Sequence, residues 1–177
     1  MNYKVIFETE RLVIRQFKAF DKIAFFDMMV NPNVMKPIPQ NVFTKEESDE
    51  KLVELISYYK SNSEKKIWSI NLKNNAELIG LCGLIINNEN NNEIAYRFRE
   101  KFWNYGYGTE IAKGLINYGF EKLNFELITA DAFISNKNSI KIIEKFMTFD
   151  KEFYNEKDKC IDRRYQLNKE IWFKKFN

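Results

Sequence analysis

The chain has 177 residues, of which 45% are hydrophobic and 16% aromatic, and its 28 Lys and Arg against 25 Asp and Glu give a formal net charge of +3. This length and apolar content are typical of one folded domain and exclude a disordered segment. The chain contains no histidine, which excludes Ser-His-Asp and Cys-His catalysis and any zinc site that needs a His ligand. Acid–base chemistry therefore falls to carboxylates, Tyr, Lys, Ser or water.

The cysteines and the placement of apolar and basic residues limit the expected location, metal content and partners of the protein. Cys82 and Cys160 are too few for a disulfide framework or a thiol-only metal site, so we expect a cytoplasmic location and no metal. No apolar run approaches the roughly 20 residues of a membrane span, and the N-terminal residues lack the apolar core of a signal peptide. The arginines occur in pairs and not in a basic stripe, so neither membrane nor nucleic acid is an expected partner.

The first two predicted elements are a strand and a helix. Residues 9–15 combine β-branched and charged side chains in partial alternation, which favours a strand with one solvated face. A helix capped by Asp21 is expected over residues 21–29, because the Asn-Pro pair at 31–32 ends helical geometry. Its inner face should carry the apolar residues at helical spacing, namely Ile23, Phe26, Met29 and Val30.

A second helix and a hairpin are predicted next. The helix should open at Thr44, with Glu47 completing a capping box, and run to about Asn62. Residues 67–72 and 77–86 predict two strands joined by a tight turn. The second of these strands is nearly all apolar, which predicts a central position in the sheet.

The rest of the chain alternates strands and helices. Residues 93–98 predict a strand with Glu93, Ala95 and Arg97 on one face and Ile94, Tyr96 and Phe98 on the other. The elements expected after it are a helix over 109–123, a strand over 127–133, a short helix capped by Asn136 and a strand over 160–167. This order predicts a single α/β domain over residues 1–177, with a strand–helix–strand crossover near its middle.

A glycine loop lies at the start of that crossover. Gly106 and Gly108 directly precede the helix expected at Thr109. Glycine lets a ligand approach the backbone, and the free amides at a helix N-terminus favour an anion, so phosphate or pyrophosphate is the expected ligand. The third glycine of a dinucleotide fingerprint and the Gly-Lys-Ser/Thr of a P-loop are both missing, so a simple tight turn is the alternative.

The wider sequence of this loop matches one known family. Residues 103–111 read Trp-Asn-Tyr-Gly-Tyr-Gly-Thr-Glu-Ile, and further matching residues lie at 10–15, 31–35, 93–96, 136–145 and 165–172. The chain thereby resembles the GNAT superfamily of acyl-CoA-dependent N-acetyltransferases, in particular the ribosomal-protein N-terminal acetyltransferases, whose loop commonly reads Trp-Gly-Lys-Gly-Tyr-Ala-Thr-Glu-Ala. The resemblance implies a mixed, mostly antiparallel sheet flanked by helices, with two central strands splayed apart.

The resemblance also implies acetyl-CoA as co-substrate. The expected contacts are Phe98 for the pantetheine arm and, around the pyrophosphate, Tyr105, Gly106, Tyr107, Gly108 and Thr109. Tyr105 stands where the family usually has a basic residue or Gln, which implies weaker binding. Asn136 would orient the pantetheine or the substrate side, with Ser139 at the start of the next helix, although both residues also suit an ordinary N-cap.

Acetyl transfer to an amine needs a group that takes the ammonium proton. Glu93, at the start of its strand, is the candidate base, acting through water, and Asp131 is the second candidate carboxylate. Solvated or capping carboxylates are the structural alternative for both. The position of the general-acid tyrosine of many family members is Ile143 here, which leaves Ser139 or water to protonate the departing thiolate.

These residues predict an enzyme that moves acetyl from acetyl-CoA to a primary amine, either a protein N-terminus or a small amine such as a polyamine. The acceptor cleft is expected at residues 33–40, closed by residues 149–159. The alternative is a non-catalytic acyl-CoA-binding domain of the same fold, suggested by Tyr105 and by the missing tyrosine. A homodimer is expected from the family resemblance.

Overall fold

The computed structural model describes residues 3–37, 41–60 and 66–176. Within these ranges the chain forms the following strands and α-helices. The strands are β1 (Val5–Glu8), β2 (Leu12–Arg15), β3 (Lys66–Leu72), β4 (Leu78–Ile86), β5 (Asn92–Phe98), β6 (Leu127–Phe133), β7 (Thr148–Asn155) and β8 (Cys160–Asn168). The helices are α1 (Lys22–Met29), α2 (Pro32–Met35), α3 (Lys45–Ser57), α4 (Tyr107–Glu121), α5 (Lys137–Ile143) and α6 (Lys169–Phe176).

All these strands belong to one sheet in the order β1-β2-β3-β4-β5-β6-β8-β7. Neighbouring strands are antiparallel, except β5 and β6, which are parallel and joined through α4. The expected crossover and the mixed, mostly antiparallel sheet are therefore confirmed. A sheet of this kind leaves both faces to be covered by helices.

The two parallel strands diverge. Glu93 opposite Thr129 is their one register pair among the described residues, and none follows toward Phe98 and Phe133. β5 keeps a full ladder with β4, and β6 keeps one with β8, so the two halves of the sheet separate without losing their own pairing. The facing edge of β5 is left with amide and carbonyl groups that an extended ligand can pair.

Two apolar clusters cover the two faces of the sheet. The larger packs α4, α5 and α6 against the sheet and contains the buried side chains of Leu115, Phe120 and Trp172. The smaller packs α1 and α3 on the other face and contains Phe25 and Leu52. Full burial of one such side chain contributes about 1.5–3 kcal/mol, so these clusters hold the two diverging halves in place.

The inner face of α1 differs from the expected one. The buried residues are Phe25, Met28 and Met29. Ile23 is 84% exposed, and Val30 is also exposed. Asp21 does not cap the helix with its side chain, because its carboxylate accepts two hydrogen bonds from the buried guanidinium of Arg15. This ion pair fixes where α1 leaves the sheet, and the resulting rotation turns Ile23 to solvent.

Other elements confirm or extend the prediction. The capping box of Thr44 and Glu47 opens α3, which ends at Ser57; Asn62 lies outside the described residues. The hairpin of β3 and β4 is confirmed, whereas β1, β7 and α6 were not predicted. No helix in the described part of the chain is long and apolar enough to cross a bilayer.

Candidate active site

A cleft of about 500 Å³ opens at the carboxyl end of β5, beside the gap between the two diverging strands. It lies between α2 on one side and the first turns of α4 and α5 on the other. The sequence-predicted site residues that line it are Phe98, Gly106, Tyr107, Gly108, Thr109, Asn136 and Ser139. Residues from one strand and two helices, up to 41 positions apart in sequence, therefore meet at one cleft.

Gly106 sets the direction of α4. It adopts φ +82°, a left-handed conformation that costs a side chain steric energy, and it stands directly before the first helical residue. The helix begins at Tyr107, two residues earlier than predicted. The amides of a first helical turn have no intrahelical acceptor, and here they belong to residues that line the cleft. This end of α4 can therefore receive an anionic group.

The loop before α4 is held from the other end of the sequence. Arg11 donates from Nη1 to the carbonyl of Tyr105 at 2.9 Å, and its guanidinium lies 4.5 Å from the centroid of the Tyr107 ring. Tyr105 itself does not line the cleft: its side chain is 61% exposed and stacks on Tyr107. Its carbonyl is occupied by Arg11, so the predicted contact of Tyr105 with a pyrophosphate is not seen in the cleft lining.

Gly108 lets α5 approach α4. A Cβ at this position would lie 2.7 Å from Cδ1 of Ile142, so a side chain there would require the end of the Ile142 side chain to move. The neighbouring Thr109 accepts a hydrogen bond at its Oγ1 from Lys145 at 3.0 Å. The two residues thus fix the width of the cleft between its helical walls.

The opening of α5 contributes a third wall. Asn136 accepts a hydrogen bond from the Ser139 amide at 3.2 Å, which is the predicted N-cap. Ser139 lies beside the hydroxyl of Tyr96, which is buried and makes no hydrogen bond of good geometry within the described residues. Burial raises the pKa of Tyr96 to about 12, and Ser139 opposes the shift. This wall of the cleft therefore carries two neutral hydroxyl groups, those of Tyr96 and Ser139.

The two candidate carboxylates lie in the sheet and not in the cleft lining. Arg164 on β8 donates to both oxygens of Asp131, at 2.8 and 2.7 Å, and forms an ion pair with Glu89 at 2.8 Å. Burial, together with the charge and hydrogen bond of Asp131, raises the pKa of Glu93 to about 8, while Arg164 lowers it. Glu93 and Asp131 are therefore a carboxyl–carboxylate pair that holds a proton near neutral pH.

The distance from this pair to the cleft bears on their chemistry. Glu93 precedes Arg97, the nearest cleft residue on its face of β5, by four positions. At about 3.3 Å per strand residue, this separates the two backbones by about 13 Å. The Glu93 carboxylate therefore does not line the cleft, and a proton exchanged between the two would have to pass through water.

The expected acceptor region is only partly in place. Asn33, Lys36 and Pro37 line the cleft, whereas residues 38–40 lie outside the described part of the chain. The expectation that residues 149–159 close the cleft is wrong. Most of this segment forms β7, which occupies the far edge of the sheet beyond β8, and none of it lines the cleft.

Three cleft features were missed from sequence. Arg97, the Tyr96 hydroxyl and Arg11 sit at or beside the cleft, but each was assigned to a strand face or a terminal motif without a role. The spacing of Arg97 and Tyr96 within the strand directly before the glycine loop was the signal that could have found them. In the described ranges no cluster of three or more Cys, Asp or Glu is arranged to hold a metal ion.

Comparison with known proteins gives one family. Residues 11–146 match the model of the acetyltransferase (GNAT) domain. The chain is 31% identical over 146 residues to an uncharacterized N-acetyltransferase p20 of Bacillus licheniformis, with 81% of this chain and 82% of that protein covered. It is 30% identical over 156 residues to the uncharacterized N-acetyltransferase YnaD of Bacillus subtilis, with 88% and 87% covered.

Solved structures give the same fold. An acetyltransferase of the GNAT family from Bacillus anthracis superimposes with a TM-score of 0.79 at 26% identity, covering 96% of this chain and 99% of that one. The spermidine N-acetyltransferase of Vibrio cholerae, in complex with CoA and spermine, gives a TM-score of 0.76 at 17% identity, with 92% and 98% covered. At 17% identity, the similarity to the Vibrio cholerae protein concerns the fold alone.

Proposed function

Since the chain belongs to the GNAT acetyltransferase family, we propose that it transfers acetyl from acetyl-CoA to a primary amine by direct attack in a ternary complex. One observation carries the proposal: a left-handed Gly106 opens α4 beside the unpaired edge of β5, in a cleft of about 500 Å³. A helix N-terminus suits a pyrophosphate, and an open strand edge suits the amides of a pantetheine arm.

The residues present fit this co-substrate. The backbone from Gly106 to Thr109 holds the pyrophosphate, and Phe98 and its strand edge meet the arm. Asn136 fixes the first turn of α5 beside it. Bound acetyl-CoA supplies a thioester carbonyl that an amine can attack.

In the reaction, the amine nitrogen bonds to the carbonyl carbon and the carbon–sulfur bond breaks. The proton that the nitrogen loses passes through water to the deprotonated form of Glu93, a form whose fraction grows as the pH rises through about 8. Asp131 tunes that base through the shared proton and does not reach the cleft. Ser139, or a water in its place, protonates the sulfur of the departing coenzyme A.

A second function is a non-catalytic acyl-CoA-binding domain of the same fold. The specific observation in its favour is that Glu93 and Asp131 are tied to the sheet network and do not line the cleft. The two functions differ in turnover and not in binding. A protein N-terminus and a small amine, including a polyamine such as the spermidine after which the Vibrio cholerae protein is named, are both acceptors of the required chemistry.

Two measurements test the proposal in sequence. Acetyl-CoA and coenzyme A should each raise the melting temperature, whereas NADH and ATP should leave it unchanged, because a ligand specific to the native state stabilises by mass action. Thiol release is then followed with a panel of amines. Stabilisation without release for any amine favours the binding domain, and no stabilisation by either CoA species contradicts both functions.

A further inference from the structure

The side chain of Tyr96 stands in the wall of the cleft with a hydroxyl group that the fold leaves unpaired. Its oxygen is buried from solvent and makes no hydrogen bond of good geometry among the described residues. An unpaired buried hydroxyl costs stability, since the group gives up its hydrogen bonds to water and gains none in the protein. A phenylalanine at this position would keep the ring without that cost, so the stability of the fold does not account for the hydroxyl.

The ring of Tyr96 is held between β5 and the first turn of α4. On β5 it lies opposite Cys82 of the neighbouring strand and on the same face as Phe98, whose ring centroid is 6.3 Å away. On the side of α4, a Cβ added to Gly108 would lie 4.0 Å from Cε2 of Tyr96, which is ordinary van der Waals distance. The fold thus fixes the position of the ring, and with it the position of the hydroxyl.

Ser139, in the first turn of α5, lies beside the Tyr96 hydroxyl. It influences the ionisation of Tyr96 as a hydrogen-bonding neighbour does, because it opposes the rise in the pKa of Tyr96 that burial causes. Ser139 lines the cleft and is only half-buried, whereas solvent does not reach the Tyr96 oxygen. We therefore expect a ligand in the cleft to be affected by the Tyr96 hydroxyl through Ser139 and not by direct contact.

We propose that Tyr96 is a positioning residue: in the complex with coenzyme A its hydroxyl donates to Oγ of Ser139 and thereby directs the Ser139 proton to the sulfur. This inference rests on the function proposed above, in which Ser139 or a water acts on that sulfur, and it assigns the role to Ser139. A serine hydroxyl rotates, and it can accept one hydrogen bond while it donates another. A donor behind Ser139 also strengthens the bond that Ser139 gives, since hydrogen bonds in a chain polarise one another.

The charges around the two hydroxyl groups set the direction of this chain. Burial keeps Tyr96 protonated, with a pKa of about 12, so it has a proton to donate at neutral pH. No Asp or Glu occurs among the described residues that line the cleft, so no carboxylate there competes with Ser139 for that proton. Tyr96 keeps its proton throughout the reaction. The proton that the sulfur gains comes from Ser139, and water in the cleft returns one to Ser139.

Tyr96→Phe separates a role in the site from a structural one. The variant removes one oxygen that has no partner in the free protein, so the melting temperature should stay the same or rise. Tyr59→Phe is the matched control: the Tyr59 hydroxyl donates to the carbonyl of Ile67 at 2.6 Å and accepts from the amide of Phe17 at 3.1 Å, and Tyr59 does not line the cleft. Its loss should lower the melting temperature. An equally large drop in Tyr96→Phe would make the Tyr96 hydroxyl structural and overturn the inference.

Coenzyme A and desulfo-coenzyme A, which lacks the sulfur, measure the contact with the sulfur without any acceptor amine. By isothermal titration the unaltered chain should bind coenzyme A about fivefold more tightly than the desulfo analogue, which is the size expected of one hydrogen bond. Ser139→Ala should lower this ratio to about one, and Tyr96→Phe should lower it to about two. Tyr59→Phe should leave it unchanged. A ratio that Tyr96→Phe does not alter would contradict the inference.

The double variant decides whether Tyr96 acts through Ser139. With any amine that supports thiol release, Tyr96→Phe should lower kcat about tenfold and change the KM for acetyl-CoA less than twofold, because it weakens a bond to the departing sulfur. In the Ser139→Ala background, Tyr96→Phe should lower kcat no further, since two residues that act as one chain are not additive. Equal effects in the two backgrounds would show that Tyr96 acts independently of Ser139 and would reject its positioning role.

The two proposals fail separately. If neither acetyl-CoA nor coenzyme A raises the melting temperature of the unaltered chain, the proposed function and this inference both fail. If both raise it and an amine supports thiol release, but coenzyme A and desulfo-coenzyme A bind equally tightly, the acetyltransferase function stands. The role of Tyr96 and Ser139 at the sulfur is then rejected.

Discussion

Arg11 and Glu110 are 99 positions apart and join the turn between β1 and β2 to the first turn of α4. Nε of Arg11 lies 2.7 Å from Oε2 of Glu110, and the Arg11 amide donates to Oε1 at 2.8 Å. The same guanidinium donates to the carbonyl of Tyr105. Partial burial opposes ionisation of Glu110, but hydrogen bonds from Thr9 and Arg11 keep its pKa below the usual value. The glycine loop is thus tied to the N-terminal hairpin.

Arg11→Ala should weaken acetyl-CoA binding more than it weakens the fold. The pair is partly exposed, so its loss should cost about 1 kcal/mol or less in the free energy of unfolding. Without the hydrogen bond from Arg11 to Tyr105, the loop must become ordered when acetyl-CoA binds. The entropic cost of this ordering should weaken acetyl-CoA binding about tenfold. Isothermal titration and urea unfolding measure the two effects. Lys73→Ala, which removes the exposed ion pair with Glu8, is the control and should leave acetyl-CoA binding unchanged.

Gly106→Ala tests the left-handed opening of α4. At φ +82° a side chain costs about 1–2 kcal/mol, and its Cβ would also lie 3.4 Å from Nη2 of Arg11. We expect a lower melting temperature of the free protein and a smaller rise in melting temperature when coenzyme A is added. Gly119→Ala, in the same helix but outside the cleft lining, serves as the comparison: its Cβ would meet Cδ1 of Ile128 at 2.7 Å, and the rise in melting temperature that coenzyme A causes should be unchanged. Equal responses in both variants would contradict the role of Gly106.

The pH dependence of turnover should follow Glu93. A base acts in its deprotonated form, and burial beside Asp131 raises the pKa of Glu93 to about 8. The value of kcat at saturating amine should therefore rise as the pH passes through about 8 and level off above it. Glu93→Gln should lower kcat by about 10²- to 10⁴-fold and remove the rise, while acetyl-CoA affinity is retained. A rise that persists in Glu93→Gln would assign the dependence to the amine itself.

The same carboxyl group should make stability depend on pH. Because the folded state holds the Glu93 proton up to about pH 8 and the unfolded chain releases it near 4.5, the native state binds more protons between these values. The contribution of Glu93 to the free energy of unfolding is therefore fully present at low pH and is lost as the pH rises through about 8. Urea unfolding at pH 5, 7 and 9 should show this decline, and Glu93→Gln should flatten it. An unchanged slope in the variant would contradict the shift.

The sequence predicted those parts of the fold that depend on local chemistry. The capping box at Thr44, the cap at Asn136 and strand β6 follow from neighbouring residues, and all three were predicted correctly. The exposure of Ile23 depends instead on the contact of Asp21 with Arg15, which no local pattern of α1 contains. Side-chain periodicity therefore gave the helix but not its rotation.

Long-range contacts also limited what could be predicted of the site. The glycine loop and its neighbours were recognised because they are contiguous in sequence, as residues 103–111. The tether from Arg11 and the placement of β7 beyond β8 arise from sheet order, which a single sequence does not encode locally.

Arg164 is a buried charge whose loss should destabilise the fold strongly. Its side chain is 1% exposed and donates to Asp131, Glu89 and the side-chain Oδ1 of Asn88, with the centroid of the Phe153 ring 4.8 Å from the guanidinium carbon. Arg164→Met leaves these acceptors without their cation, and the loss of one partner of a buried pair costs about 3–5 kcal/mol. Urea unfolding should therefore show a large drop in the free energy of unfolding.

The same substitution should move the rate profile. Since Arg164 lowers the pKa of Glu93, its removal shifts the rise of kcat to higher pH in whatever fraction remains folded. Lys151→Met is the matched control, because Lys151 pairs with Glu89 at 2.6 Å on the surface and should contribute less than about 1 kcal/mol. If the pH profile of kcat is unchanged in Arg164→Met, Arg164 does not influence the ionisation of Glu93. If the loss in free energy of unfolding is as small as in Lys151→Met, the Arg164 ion pairs do not stabilise the fold.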